Sequence, residues 1–87
     1  MIITRRRGVF SKKIKGKWYL LKKNEEETRE LNETAGFIWE LAKNKVDIKT
    51  IIKFFTSKYQ IEASKARRDV ENFVSQYLKE GFLIRAK

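Results

Sequence analysis

The sequence predicts an α+β domain in which three short strands are followed by three helices. The hydrophobic pattern changes once along the chain. Up to about residue 32, short β-prone runs alternate with turn residues, and beyond it apolar residues recur at the three- and four-residue spacing of helices. A chain of 87 residues has room for one small core, and no linker-like segment divides it. We therefore expect a single domain spanning residues 1–87.

The first two predicted strands are Val9–Ile14 and Trp18–Leu21. Between them lies Lys15-Gly16-Lys17, in which the glycine can adopt a positive φ and close a hairpin. The polar segment 22–25 indicates a second turn. Residues 1–7, which include three consecutive arginines, are expected to form a flexible basic N-terminus.

Three amphipathic helices are predicted after residue 32. Asn32 is expected to cap the first helix, and Asn44 to end it, because asparagine tolerates the left-handed conformation. Asp47 is expected to cap the second helix, and Gly81 to end the third, which begins near Ala63. The apolar stripes, which should form the core, are Ala35, Ile38, Trp39 and Ala42; Ile48, Ile51, Ile52, Phe55 and Tyr59; and Ala66, Val70, Phe73 and Tyr77.

The composition argues against an enzyme. Without histidine or cysteine the chain lacks the commonest general base, the thiol nucleophile and the usual zinc ligands, and it has no glycine-rich phosphate-binding motif. We therefore expect no catalytic residues, no metal site and no cofactor. No apolar run reaches the roughly 18–20 residues of a membrane span, and the N-terminus does not resemble a secretory signal. A cytoplasmic protein without a membrane partner is expected, which the absence of cysteine fits.

The charge balance points to an anionic partner. The chain has 21 Lys and Arg residues against 11 Asp and Glu residues, a net charge of +10. Such a charge favours nucleic acid, a lipid surface or an acidic peptide. It therefore selects the sign of the partner's charge but not its class.

One segment carries a family resemblance. Leu31-Asn32-Glu33-Thr34-Ala35-Gly36-Phe37-Ile38-Trp39-Glu40-Leu41 is similar to the L-N-x-T-A-x-x-I-W-x-L signature of PqqD-like proteins, also called RiPP precursor-peptide recognition elements. Downstream, Asp47–Ile52 and Asp69–Val74, then Leu78 and Gly81-Phe82-Leu83, resemble the later helices and the ending of that family. The resemblance covers nearly the whole chain. It implies a winged-helix-like fold, with a three-stranded antiparallel sheet followed by three helices.

The resemblance also implies a function. In this family the leader segment of a ribosomally made precursor peptide adds as a strand to the third strand, in a groove against the third helix. The residues so implied in peptide binding are Glu27, Thr28, Arg29, Glu30 and Leu31. By composition alone this segment would be a solvated loop, because glutamate is depleted in sheets. Its charges would, however, prevent an open edge from pairing with copies of itself.

The helical wall of such a groove is predicted from the third helix. On a helical wheel Arg67, Glu71, Val74 and Leu78 form one flank beside the core stripe, with Arg68 nearby. On this prediction Val74 and Leu78 would contact apolar leader residues, and Arg67 an acidic one. The alternative is that these side chains pack partly in the core or meet only water.

Two other functions are compatible with the sequence. A small basic winged-helix nucleic-acid-binding protein would use the arginines at 5–7 to grip phosphates, although Asp69, Glu71 and Glu80 are awkward for a groove-reading helix. The second of these functions is that of a scaffold subunit with no peptide ligand of its own. The favoured partners are a precursor peptide and a maturation enzyme: the leader peptidase of a lasso-peptide system first, then a radical-SAM enzyme or cyclase. The chain itself is expected to be a monomer or weak homodimer.

Overall fold

The computed structural model describes residues 1–87 and contains six strands and three helices. These elements are β1 (Ile2–Arg5), β2 (Val9–Ile14), β3 (Lys17–Lys22), β4 (Arg29–Glu30), α1 (Glu33–Leu41), β5 (Val46–Asp47), α2 (Ile48–Tyr59), α3 (Ala63–Lys79) and β6 (Leu83–Ala86). The strands form two antiparallel sheets, a hairpin sheet in the order β2-β3-β4 and a terminal sheet in the order β5-β1-β6. The predicted α+β order of three strands and three helices is confirmed, and the terminal sheet is an addition to it.

The hairpin sheet begins with a tight turn. β2 and β3 pair from Val9 opposite Lys22 to Ile14 opposite Lys17. The two residues between them, Lys15 and Gly16, both have positive φ, 52° and 82°. Two central residues with positive φ match the twist of the flanking strands, and glycine adopts this conformation without steric cost. The predicted hairpin is confirmed.

The terminal sheet corrects the prediction for the N-terminus. Residues 2–5 form the central strand of this sheet rather than a flexible segment, and Ile3 is fully buried. Ile3 pairs with Val46 on one side and with Arg85 on the other. Because both partners are distant in sequence, no local pattern around residues 1–7 indicates the pairing. The predicted apolar tail continues into β6 of the same sheet.

The predicted helix caps are confirmed except for one. Asn32 accepts a hydrogen bond from the amide of Ala35 at 2.8 Å, and Asp47 accepts one from Lys49 at 2.9 Å. Gly81, with φ of 83°, ends α3 in a Schellman arrangement, because the Phe82 amide donates to the Tyr77 carbonyl and the Gly81 amide to that of Leu78.

The end of α1 was predicted wrongly. The helix ends at Leu41 with Ala42 as its C-cap, and Asn44 does not adopt a positive φ. The chain instead leaves the helix toward β5, which pairs with β1. The amide of Arg5 in β1 donates to the carbonyl of Ala42. The terminal sheet therefore satisfies a carbonyl at the end of α1, where Asn44 was expected to end the helix.

The core lies between the two sheets and the three helices and contains 14 buried apolar residues. Trp39, Phe55 and Tyr77 belong to it as predicted, whereas Phe73 is only partly buried. Arg5 joins the terminal sheet to α1, because its guanidinium donates to the Trp39 carbonyl at 2.8 and 3.0 Å and lies over the indole ring. No helix is both long and apolar enough to cross a bilayer.

Candidate peptide-binding site

β4 lies at an open edge of the hairpin sheet. It pairs with β3 through Tyr19 opposite Glu30 and Leu20 opposite Arg29, and no strand pairs with its other side. The C-terminal strand β6 pairs with β1 in the terminal sheet, so the tail of the chain does not pair with β4. One side of β4 is therefore free to pair with another strand.

The register identifies which main-chain groups face the open side. The Leu31 amide donates to the Trp18 carbonyl at 2.9 Å, so the main chain of Leu31 faces β3. In an extended strand, successive residues direct their N–H and C=O groups to opposite sides. The amide and carbonyl of Glu30 therefore point away from β3, toward the open edge. These are the groups that an added strand would meet first.

The strand is shorter than predicted. Regular pairing covers only Arg29 and Glu30, while Glu27 and Thr28 precede the strand and are exposed. The Leu31 side chain is 1% exposed and belongs to the core, so it has little surface that a ligand could contact. Glu30 points outward and forms an ion pair with Lys17 at 3.2 Å.

Arg29 connects β4 to α3. Its guanidinium hydrogen-bonds to the Glu80 carboxylate and lies 3.4 Å from the Tyr77 hydroxyl. It also lies over the rings of Tyr77 and Phe82, at 5.6 and 5.1 Å from their centroids. No backbone hydrogen bond joins β4 to α3. The two elements are therefore bridged by side chains at the Arg29 end. We call the surface between the open side of β4 and this flank of α3 the groove.

The bridging pair is electrostatically coupled. The hydrogen bond from Arg29 holds the pKa of Glu80 below its usual value, and a second hydrogen bond from Gln76 at 2.8 Å acts in the same direction. The same contact with Glu80 raises the pKa of Arg29. Hydrogen bonding to the charged forms favours those forms, so both residues remain ionised at neutral pH.

The flank of α3 that faces β4 differs from the flank predicted on the wheel. Arg29 contacts Tyr77 and Glu80, and helical spacing places Phe73 and Gln76 on that same flank. The predicted flank lies across the core stripe from it. Of its members Arg67, Arg68 and Glu71 are exposed, Leu78 is partly buried, and Val74 is 2% exposed within the core. Val74 therefore has almost no exposed surface in this structure, and its contact with a ligand stays a prediction.

Phe73, which the helical pattern predicts only as a core residue, is an apolar side chain on this flank. It is partly buried and stacks on Tyr77, with ring centroids 4.0 Å apart and planes 20° apart. Helical spacing places this aromatic pair on the flank of α3 that Arg29 contacts, so it lies on the helix side of the groove. The sequence signal for this role was available, since Phe73 lies at the border of the apolar stripe, but the choice of flank depends on where β4 lies in space.

A cleft of about 470 Å³ opens at the other end of β4, beside Leu31. Its walls come from the hairpin turn, the start of α1 and the end of α2. Within it Glu40 accepts hydrogen bonds from Lys13 at 2.7 Å and from the Trp18 indole at 2.9 Å. The Lys13 contact holds the pKa of Glu40 below its usual value. Four lysines and two glutamates line this cleft, so its lining is positive overall but contains both signs of charge.

The fold places the chain in a defined class of small α+β domains. It matches a structure described as TbiB1 in complex with the TbiA(beta) leader peptide, with a TM-score of 0.86 and 18% identity over 97% of this chain and 98% of that one. It also matches a lasso peptide synthetase B1 complexed with the leader peptide, with a TM-score of 0.83 and 23% identity over 94% and 96% of the two chains. At these identities the matches establish the fold.

The sequence identifies the family. The profile of coenzyme PQQ synthesis protein D (PqqD) matches residues 17–83, which is most of the chain. The protein therefore belongs to the PqqD family, and the resemblance seen in the segment 31–41 is confirmed. No curated protein matches the sequence.

Proposed function

We propose that this protein binds the leader segment of a ribosomally made precursor peptide as an added strand on β4, beside α3. Three observations support the proposal: the open edge of β4, membership of the PqqD family, and a fold shared with two proteins whose structures are described as leader-peptide complexes. The open edge carries the most weight, because strand addition requires main-chain groups that are not already paired.

The groove supplies two kinds of contact. The main chain of Glu30 offers one donor and one acceptor to a guest strand, which gives affinity with little choice of sequence. Selectivity must come from side chains, and the face of Phe73 that borders the groove is suited to an apolar leader residue. The flank predicted from sequence, with Arg67, Glu71 and Leu78, is the alternative wall.

A leader peptide is disordered until it binds, so part of the interaction energy is spent on ordering it. We expect net binding of about −8 to −10 kcal/mol, which corresponds to dissociation constants from about 1 μM down to about 50 nM. Such an affinity suits a non-catalytic carrier that delivers the peptide to an enzyme and then releases it. We propose a leader peptidase as the partner enzyme, with a radical-SAM enzyme or cyclase as the alternative.

A pair of substitutions at Glu30 tests strand addition. Glu30→Pro removes the amide that faces the open side, while the hydrogen bond from Leu31 to Trp18 remains. Glu30→Ala removes the same side chain and keeps the amide. With the leader of a ribosomally made precursor peptide as the probe, calorimetry should show Glu30→Pro weakening binding at least about tenfold, since a hydrogen bond is lost and the ring obstructs the edge.

Glu30→Ala should bind within about twofold of the parent chain, because exposed ion pairs contribute little. Equal affinities for the two variants would contradict strand addition at this edge. Circular dichroism should show unchanged helix content in both, since Glu30 lies outside all three helices.

Nucleic-acid binding is the competing function, and the net charge of +10 favours it. The α3 helix, however, carries Asp69 and Glu71, and Glu80 follows it, which would face phosphates unfavourably. Salt dependence separates the two functions, because phosphate contacts weaken steeply with salt whereas main-chain pairing is little screened.

A further inference from the structure

A strongly basic cleft lies beside the C-terminal end of α3. It has a volume of about 300 Å³, and no carboxylate lines it. Its lining residues, which we call the basic cleft, are Arg6, Arg7, Gly8, Val9, Lys22, Lys23 and Gly81. Four positive charges thus converge on one small concave site.

Most of this charge is not neutralised within the chain. Arg6, Arg7 and Lys23 form no ion pair within 4 Å. Lys22 is partly engaged, because its ammonium donates to the Glu80 carbonyl and lies 3.8 Å from Glu25. Cations gathered in a concave surface reinforce one another's potential and attract an anion.

The backbone holds this cluster in place. The amide of Lys23 donates to the carbonyl of Gly8 at 2.9 Å, and the amide of Arg6 donates to the carbonyl of Phe82 at 3.0 Å. Gly81 makes room for the Arg6 side chain, because a Cβ there would lie 3.0 Å from its Nη1 atom. The cleft is therefore a built feature that joins β1, the hairpin sheet and the end of α3.

The sheet register places the basic cleft at one end of the β4 groove. Leu20 lies opposite Arg29, so Lys22, two residues further along β3, is level with the segment just before β4. On the α3 side, Glu80, which holds Arg29, is adjacent to Gly81 of the cleft. A strand added to β4 would pass this cleft as it leaves the groove at the Thr28 end.

We propose that the basic cleft binds acidic side chains on the C-terminal side of the guest segment. The proposal rests on the proposed function, because it needs a strand on β4. Antiparallel pairing is the more stable arrangement and directs the C-terminal side of the guest past Thr28. The chemical class selected is therefore an extended peptide with an apolar middle, which meets Phe73, followed by aspartate or glutamate.

The shape of the cleft favours a peptide over nucleic acid. A volume of about 300 Å³ accommodates one or two carboxylate side chains, whereas a nucleic-acid backbone requires cations spread along a track. Asp69 and Glu71 lie ten to twelve residues before Gly81, about 15–18 Å along the helix, so a nucleic-acid strand that extends from the cleft along α3 would meet negative charge. Acidic side chains that leave the groove at the Thr28 end would pass Glu27, which the register places level with Lys22, before they meet the four cations of the cleft.

The test uses peptides selected from a random library displayed on phage, with the 87-residue chain as bait. The best binder is synthesised in three forms. The first is unchanged, the second has the aspartates and glutamates of its C-terminal half replaced by asparagine and glutamine, and the third has the same replacements in its N-terminal half. Each is titrated against the parent chain, the Arg7→Glu/Lys23→Glu variant and the Lys49→Glu/Lys53→Glu variant. The last is a matched control, since it changes the net charge equally at exposed sites that line neither cleft.

We expect Arg7→Glu/Lys23→Glu to weaken binding of the unchanged peptide by about tenfold, and the control by less than about twofold. The cleft variant should have little effect on the peptide whose C-terminal half is neutral, because the interaction is then already absent. The proposal is overturned if the cleft variant loses equal affinity for all three peptides, or if its loss disappears only for the peptide whose N-terminal half is neutral. It is also overturned if the control variant loses as much affinity as the cleft variant.

Two further measurements distinguish failure of this proposal from failure of strand addition to β4. Suppose that Glu30→Pro weakens binding of the selected peptide, but that the cleft variant loses as much affinity for the peptide with a neutral C-terminal half as for the unchanged one. The role of the basic cleft alone is then refuted. If Glu30→Pro has no effect, strand addition itself is refuted. Tight binding of a DNA duplex at physiological salt, lost in the cleft variant and retained in the control, would assign the cleft to nucleic acid and overturn the proposal.

Discussion

Arg29 in β4 is hydrogen-bonded to the carboxylate of Glu80, the residue that caps the C-terminal end of α3. This pair joins the strand with the open edge to the helix beside it. It therefore defines one end of the groove in which we propose that a peptide binds. Its effects on stability and on ligand binding can be measured separately.

The first prediction concerns the pH dependence of stability. Because folding lowers the pKa of Glu80, the stabilisation it gives is fully present above the ordinary pKa of about 4.3 and is lost as the pH falls through the lower folded value. Glu80→Gln should therefore reduce stability by about 0.5 kcal/mol at neutral pH, a value discounted for solvent exposure of the pair.

The difference between the Glu80→Gln variant and the parent chain should shrink on acidification, measured by urea unfolding at neutral pH and near pH 3. Glu71→Gln is the matched control, because Glu71 is exposed on the same helix and forms no ion pair. A difference that persists undiminished in acid would show that the pair does not act through charge.

The second prediction distinguishes the two flanks of α3. Phe73→Ala should weaken leader binding by about tenfold, because it removes the apolar surface beside the groove. Leu78→Glu, on the flank predicted from sequence, should change affinity by less than about threefold if the Arg29 flank forms the wall. The opposite ranking, measured by calorimetry on variants with unchanged circular dichroism, would return the site to Arg67, Glu71 and Leu78.

The third prediction concerns the end of α3. Gly81→Ala should lower the free energy of unfolding by about 1 kcal/mol, because Gly81 has a φ of 83° that a residue with a Cβ adopts at a cost. For a domain of this size the melting temperature should fall by about 4–8 °C. Gly81→Asn should lose less, since asparagine tolerates this conformation. Equal losses for the two variants would point to crowding against Arg6 as the cause.

The fourth prediction separates peptide from nucleic acid by salt dependence. A protein that contacts six or more phosphates loses about a thousandfold or more in affinity between 50 and 200 mM salt. Binding of the leader peptide should weaken by about tenfold or less over the same range, because main-chain pairing and apolar contact are little screened. A peptide titration as steep as that of nucleic acid would show that charge alone drives binding.

Local signals were sufficient for much of this fold. Asn32, Asp47 and Gly81 each determine a helix boundary through their own side chain or backbone, so the sequence around them predicts the boundary. The hairpin at Lys15 and Gly16 is local in the same sense. These features need no information about distant parts of the chain.

The terminal sheet and the orientation of the groove could not be predicted in this way. The segment Ile2–Arg5 becomes a strand only because its partners, around Val46 and Arg85, reach it in the folded chain. Likewise a helical wheel shows that α3 has two flanks beside its core stripe, but only the contact of Arg29 with Glu80 identifies the flank that faces β4. Both depend on long-range packing.

The central claim concerns the amide of Glu30, which faces the open edge while that of Leu31 already bonds to Trp18. Hydrogen exchange followed by NMR tests it most directly, with and without the leader peptide. We predict that the Glu30 amide exchanges rapidly in the free protein and becomes protected in the complex, while the Leu31 amide is protected in both. A Glu30 amide that exchanges equally fast in a saturated complex would contradict strand addition to β4.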